Sequence, residues 1–218
     1  MTRDAFHQEL REIEESVIQM ANLVEDEIAR AMQALSRRDS LLASNVVTSD
    51  AAVNEMQRGI RNRCISVMAR QAPVARDLRE LTTVELVINE LERMGDHAVG
   101  IAQQSLRLRD YETLPPTMGQ LLELAKLVRD QVRRGIQAFV DVNVQGARDV
   151  CARDDEVDLL YRAIFAELLR SMTADATLVP TATSLLFVAH DLERIGDRVT
   201  NIGEDVVYMV TGEIEELN

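Results

Sequence analysis

Tryptophan is absent from the sequence, and the aromatic share is only 3%. Nine glycines and four prolines are few for 218 residues, which leaves little of the punctuation that a loop-rich chain needs. Cys64 and Cys151 stand far apart with no CxxC spacing. Buried free thiols in a reducing compartment are therefore expected, not a disulfide framework. No apolar run is long enough to cross a bilayer; the longest lies near Leu185–Ala189. The opening MTRDAFHQEL lacks the apolar centre of a signal peptide, so a cytoplasmic location is expected. Positive charge is also short, with 24 Lys and Arg against 37 Asp and Glu, a net charge of −13. Nucleic acid is not expected as a ligand, because a phosphate backbone calls for a basic surface. Metal cations or a basic protein surface suit such a chain better.

What the chain does have is Leu, Val, Ile, Ala and Met, which lift the hydrophobic share to 46% beside 28% charged residues. That usage predicts an all-α protein with ample core. The apolar stripe Val46, Val53, Met56, Ile60, Val67 has helical spacing, as does Leu81, Val84, Ile88, Leu91. Helices are predicted at about 3–37, 40–70, 75–109, 117–142, 145–172 and 179–211. The double proline Pro115–Pro116 divides them, giving expected units at 1–112 and 113–218.

The two units repeat. A shift of 104 places Leu23 on Leu127, Asp26 on Asp130, Val46 on Val150, Asp50 on Asp154, Val53 on Val157 and Ile60 on Ile164. For the third helix the shift falls to 193 − 92 = 101, a loss of three residues before it. Such a register indicates internal duplication. The expected architecture is a tandem repeat of two antiparallel three-helix bundles, six long helices in all.

LERMGDHA at Leu91–Ala98 returns as LERIGDRV at Leu192–Val199. Each sets two carboxylates at i and i+4, Glu92 with Asp96 and Glu193 with Asp197, where like charges repel by roughly 0.2–0.5 kcal/mol. Each also carries a mid-helix glycine, at about 1 kcal/mol against alanine. On the second helices, Asp50 and Asn54 correspond to Asp154 and Asp158. If second and third helices are neighbours, these oxygens form a candidate site for a hard cation: Mg²⁺, Mn²⁺, Ca²⁺ or ferric iron. The plain alternative is a solvated face in which Arg93 and Arg194 neutralise their neighbours. His97 and His190 do not repeat and read as partly exposed helix residues. The closing EIEELN reads as a solvated tail. No ExxH pair, Gly-rich phosphate loop or GxSxG occurs, so no enzyme is expected.

QAPVARDLREL, the LERMGDHAVGIA and LERIGDRVTNIGEDVVYMVTG segments and the doubled three-helix unit together resemble the PhoU family, over essentially the whole chain. The resemblance implies a cytoplasmic, non-enzymatic regulator that couples the phosphate ABC transporter to the sensor histidine kinase of the phosphate regulon. It would repress signalling and restrain uptake when phosphate is plentiful. It also implies homodimers, membrane association only through partners, and metal ions (Mg, Mn, Zn or Fe) held by ExxxD motifs. By position the implied metal residues are Glu92, Asp96, Asp50 and Asn54 in the first half, and Glu193, Asp197, Asn201, Glu204, Asp154 and Asp158 in the second. The first half has Gly100 and Gln103 in place of Asn201 and Glu204, so the first site is expected to be the weaker. Asp77–Arg79 has no copy in the second half and is either a partner contact or an ordinary helix start. Two rivals are a carboxylate-ligated metalloenzyme on a helical bundle and a metal-free helical scaffold.

Overall fold

The computed structural model describes residues 3–111 and 115–217. The unit boundary expected at 112/113 lies outside the described residues. Among them there are only helices and turns: α1 (Arg3–Arg37), α2 (Ser40–Gln71), α3 (Arg76–Leu108), α4 (Met118–Val140), α5 (Val144–Cys151), α6 (Asp154–Ala174) and α7 (Val179–Thr211), with a 3₁₀ turn at Ala176–Leu178 before α7. The all-α tandem of three-helix units holds, with one correction. The fifth predicted helix is broken at Ala152–Arg153 into α5 and α6. Arg153 closes the turn by donating its N–H to the Val150 carbonyl at 3.2 Å. Asp154, Asp155 and Glu156 then fill the first turn of α6, where negative charge favours a helix start. The apolar stripe stays in phase across the break, so periodicity alone does not reveal it.

The duplication extends to the turns. Asp39 caps α2 by accepting the Leu42 N–H, and Asn143, 104 residues on, caps α5 by accepting that of Gly146, both at 2.9 Å. The residues just before these caps, Arg38 and Val142, both take left-handed backbone, φ 55° and 52°. That conformation is uncommon for non-glycine residues, and the two copies keep it at equivalent positions.

Within each half, α3 packs on α1 and α2, and α7 packs on α4, α5 and α6; across the halves, α3 packs along α7 and α1 along α4. The buried apolar residues of both halves form one continuous core, so the third helices are at once the bundle centres and the seam. That seam is stitched by two ion pairs related by the 101-residue shift. Glu90 pairs with Arg198 at 3.4 Å, and Asp191 pairs with His97 at 3.0 Å. Gly100 makes room for the second pair, since a Cβ there would lie 2.6 Å from an Asp191 oxygen. His97 is thus a seam residue. Arg79, read as either a partner contact or part of an ordinary helix start, crosses the seam too, donating its Nε–H to the Met209 carbonyl in the last turn of α7 at 3.2 Å.

Cys64 and Cys151 are free and buried, as expected, and burial pushes both thiols up to about 12. The EIEELN segment is a correction. Glu215 pairs with Arg148 at 2.6 Å, and the Leu217 N–H donates to Glu204 Oε1 at 2.9 Å. Leu217 packs against the core while Ile214 stays exposed. The segment docks because Glu215 finds a cation in Arg148 and Leu217 finds apolar cover.

Candidate metal centre

In the first half the candidate residues gather where α1, α2 and α3 meet around Gly95. The bare backbone of Gly95 lets two carboxylates approach it. A Cβ there would lie 3.0 Å from Asp50 Oδ1 and 3.5 Å from Glu27 Oε2. Both of these oxygens are buried and have no hydrogen-bond partner. Glu27 is only 2% exposed, and its other oxygen accepts from the Ser49 hydroxyl at 3.0 Å. Asn54 donates to the second oxygen of Asp50 at 2.7 Å. Glu92 is half-buried and Asp96 exposed, and neither has a hydrogen bond or ion pair among the described residues. Further along the stripe, Arg61 pairs with Glu85 at 3.1 Å and also binds Asn89, so that end is neutralised.

The titration of these groups reflects the crowding. Burial, opposed by the Ser49 hydrogen bond and reinforced by Asp50, pushes Glu27 up to about 7. Burial and then the charge of Asp96 raise Asp50, with the Asn54 amide pulling the other way. Glu92 is raised by burial, then by Asp96 and Asp50. Desolvated carboxylates side by side favour either a proton or a cation between them.

The second half repeats the geometry around Gly196, where a Cβ would lie 3.1 Å from Asp154 Oδ1 and 3.3 Å from Gln131 Oε1. Gln131 occupies the place of Glu27 (27 + 104 = 131), and its amide donates to Asp154 at 3.3 Å. Apart from Glu193, whose Oε2 is buried without a hydrogen bond, the remaining residues are paired. Asp197 is bridged to Arg194 at 2.5 Å and Asp158 to Arg162 at 2.5 Å. Asn201 donates to Glu90 at 3.2 Å, and Glu204 receives the Leu217 amide. Glu193 lies 3.4 Å from His190, and burial followed by the Asp197 charge raises it.

Six of the expected residues therefore fall around the two glycines, near or beside them: Asp50, Glu92 and Asp96, and Asp154, Glu193 and Asp197. Asn54 and Asp158 back up the second helices, whereas Asn201 and Glu204 lie further along α7 and contact the seam and the C-terminal segment. Glu92 and Asp96 of the first half have no hydrogen bond or ion pair among the described residues, whereas in the second half Asp158 and Asp197 are bridged to arginines and Glu193 keeps one buried oxygen without a hydrogen bond. Position 27 was missed because only the third and second helices were read for acids. The signal was present, since Glu27 stands three residues after Val24 and four before Ala31, on the apolar face of the helix, and the repeat register puts another polar residue at 131.

Among the described residues no three His, Cys, Asp or Glu side chains converge closely enough to hold a metal ion. The first half offers donors without a finished coordination sphere. Its orphaned oxygens, glycine cradle and all-oxygen donor set fit a hard cation. The second half fits one less well, because Arg194, Arg162 and the Gln131 amide already bind Asp197, Asp158 and Asp154, which leaves Glu193 as its one acid with a buried oxygen free of hydrogen bonds.

The PhoU domain matches residues 17–105 and 121–206 of the chain. The chain is 38% identical to the phosphate-specific transport system accessory protein PhoU homolog of Clostridium acetobutylicum, over 100% of both proteins. It is 33% identical to the homolog of Streptococcus pneumoniae, over 99% of this chain and 100% of the other. Among solved structures, PhoU from Pseudomonas aeruginosa superimposes with a TM-score of 0.91 at 31% identity, covering 95% of this chain and 100% of its own. The phosphate transport system regulatory protein PhoU from Streptococcus pneumoniae gives 0.89 at 30% identity, covering 96% and 99%.

Proposed function

The chain belongs to the PhoU family, and on that premise we propose that it is a non-enzymatic accessory protein of phosphate transport. In this reading it links the phosphate ABC transporter to a sensor histidine kinase and represses phosphate-starvation signalling when phosphate is plentiful. It acts in the cytoplasm, as a homodimer, and reaches the membrane only through its partners. Among the described residues no helix is long and apolar enough to cross a membrane.

The observation that carries the mechanistic part is the pair of buried, unpartnered oxygens, Glu27 Oε2 and Asp50 Oδ1, held over Gly95. Bound there, a hard cation (Mg²⁺, Mn²⁺ or ferric iron, with Zn²⁺ the poorer match for oxygen donors) would supply the positive charge that no side chain supplies. Glu27, Asp50, Glu92 and Asp96 are the residues that would hold it. These four come from α1, α2 and α3, so the repulsion among them opposes close packing of the three helices. Neutralising them favours one packing, and a partner that binds that packing better is coupled to the site by linkage. In the second half, Asp197 and Asp158 are held by their own arginines and Asp154 by the Gln131 amide, while Glu193 has only His190 beside it; this half serves mainly as fixed structure.

The test is elemental analysis of untagged protein, followed by capture of the transporter's ATPase subunit and the kinase with and without Mn²⁺. Metal in the wild type and loss of metal-dependent capture in Glu92→Ala/Asp96→Ala support the reading. Capture indifferent to both metal and variant contradicts it.

A further inference from the structure

The outer face of α4 departs from the acidic character of the rest of the molecule. A cavity of about 410 Å³ lies there, beside the α5–α6 break, lined by Lys126, Leu127, Arg129, Asp130, Arg133 and Arg153. A second cavity of about 250 Å³ shares Lys126 and Arg129 and continues toward Arg37 on α1. Together they make one elongated groove. In a chain of net charge −13, this clustering of cations is local and specific.

The arginines of the groove are partly engaged. Glu25 accepts from Arg129 at 3.0 Å and from Arg133 at 2.6 Å. Asp130 pairs with Arg134 at 2.7 Å and with Arg153 at 3.2 Å, and Arg153 also reaches Glu156 at 3.3 Å. Five cations (Lys126, Arg129, Arg133, Arg134, Arg153) thus face three carboxylates, which leaves a surplus of 5 − 3 = 2 positive charges. Two donors have nothing to bind. Lys126, the only lysine in the sequence, has no hydrogen bond or ion pair among the described residues. The Nε–H of Arg129 is buried without an acceptor.

The fold does not demand these residues. The 104-residue shift maps Lys126 to Asn22, Arg129 to Glu25, Arg133 to Ala29 and Arg153 to Ser49; none of these four is basic, and only Arg134 has a basic counterpart, Arg30, which repeats its pair with the aspartate four residues before it. The first half keeps the same helix packing without them. A surplus of guanidinium forks with one mobile ammonium is the chemistry that recognises phosphate oxygens. The larger cavity falls within the roughly 300–1,000 Å³ of small-molecule sites. That is more room than a lone oxyanion needs, and the groove is elongated.

We propose that this groove is a binding site for a small polyanion with linked phosphate groups, a triphosphate of inorganic or nucleoside origin. It is separate from the acidic centre: its residues lie on α1, α4 and the α5–α6 junction, and none belongs to the candidate metal residues. Charge on the groove then reports a ligand that the acidic centre itself would repel.

The test is isothermal titration of the full chain with inorganic triphosphate, ATP, orthophosphate and sulfate. It is run in EDTA, so that no cation bridges the anion to carboxylates, and at about 0.15 M salt, where distant charges are screened. Triphosphate should bind at least tenfold more tightly than orthophosphate or sulfate. Lys126→Glu, at an exposed position, should weaken it about tenfold or more with helicity unchanged; Lys126→Arg should keep it; and Glu25→Gln, which frees two guanidinium groups, should tighten it. Equal affinity for ATP and inorganic triphosphate supports the site and means that the phosphates alone are read, while tighter ATP supports it and assigns the base to the Leu127 side. Absence of binding by both triphosphates at millimolar concentration overturns the proposal. So does binding that equals that of sulfate, or that both Lys126→Glu and Arg153→Ala leave unchanged.

Discussion

The two halves share a backbone plan and differ in how they treat the same patch. Around Gly95 a buried Glu27 and a half-buried Asp50 confront Glu92 and Asp96 with no cationic side chain among them. Around Gly196 the place of Glu27 is taken by Gln131, and Asp158 of α6 and Asp197 of α7 are bridged to Arg162 and Arg194. The two copies share the cradle; one sets an amide and two arginines against its acids, whereas the acids around Gly95 have no ion pair among the described residues. A repeated motif therefore does not mean a repeated function, and the partners of each acid decide which copy is open to a ligand.

The largest break in this comparison should come from exchanging the residues at 27 and 131. Glu27 holds its proton more tightly folded than unfolded, at about 7 against 4.5. Its neutral form is favoured by folding, so stability is highest below about pH 4.5 and declines as pH rises toward 7. Glu27→Gln should raise the stability of metal-free protein at pH 8 by about 2 kcal/mol and leave it nearly unchanged at pH 4. Thermal melts at the two pH values check this, at roughly 2–4 °C per kcal/mol. Gln131→Glu should do the reverse in the second half and create a pH-dependent loss there.

A smaller effect is expected from the glycines. Gly95→Ala gains about 1 kcal/mol of helix propensity but puts a Cβ 3.0 Å from Asp50 Oδ1. The net stability change should stay within about 1 kcal/mol, while Mn²⁺ affinity falls severalfold. Gly196→Ala should change stability similarly without altering Mn²⁺ affinity. Calorimetric titration of both variants separates the two halves. Smallest of all is the removal of one surface arginine. Arg194→Met should destabilise by well under about 1 kcal/mol, yet leave Asp197 unpaired and give the second half a weak melting shift with Mn²⁺ that the wild type lacks there.

Helix class, the duplication and five of the six predicted helices were legible because apolar periodicity and repeat register are long-range patterns that survive local variation. The break at Ala152–Arg153 was not, because two residues of turn leave the stripe in phase. The cradle was half legible. Paired acids and a mid-helix glycine announced that something must lie close to α3 and α7. What lies there, Glu27 and Asp50 on one side and Gln131 and Asp154 on the other, follows from packing across three helices. The partners of the acids were not legible along one helix for the same reason, because they come from elsewhere: the Leu217 amide on Glu204 and the Gln131 amide on Asp154.

The most direct measurement is a Mn²⁺ titration of three metal-free proteins followed by calorimetry: the wild type, Glu27→Gln/Asp50→Asn, and Asp154→Asn/Glu193→Gln. The account predicts that the first-half variant loses the tightest binding phase and that the second-half variant keeps it. Tightest binding retained in the first-half variant, or lost only in the second-half one, would contradict it.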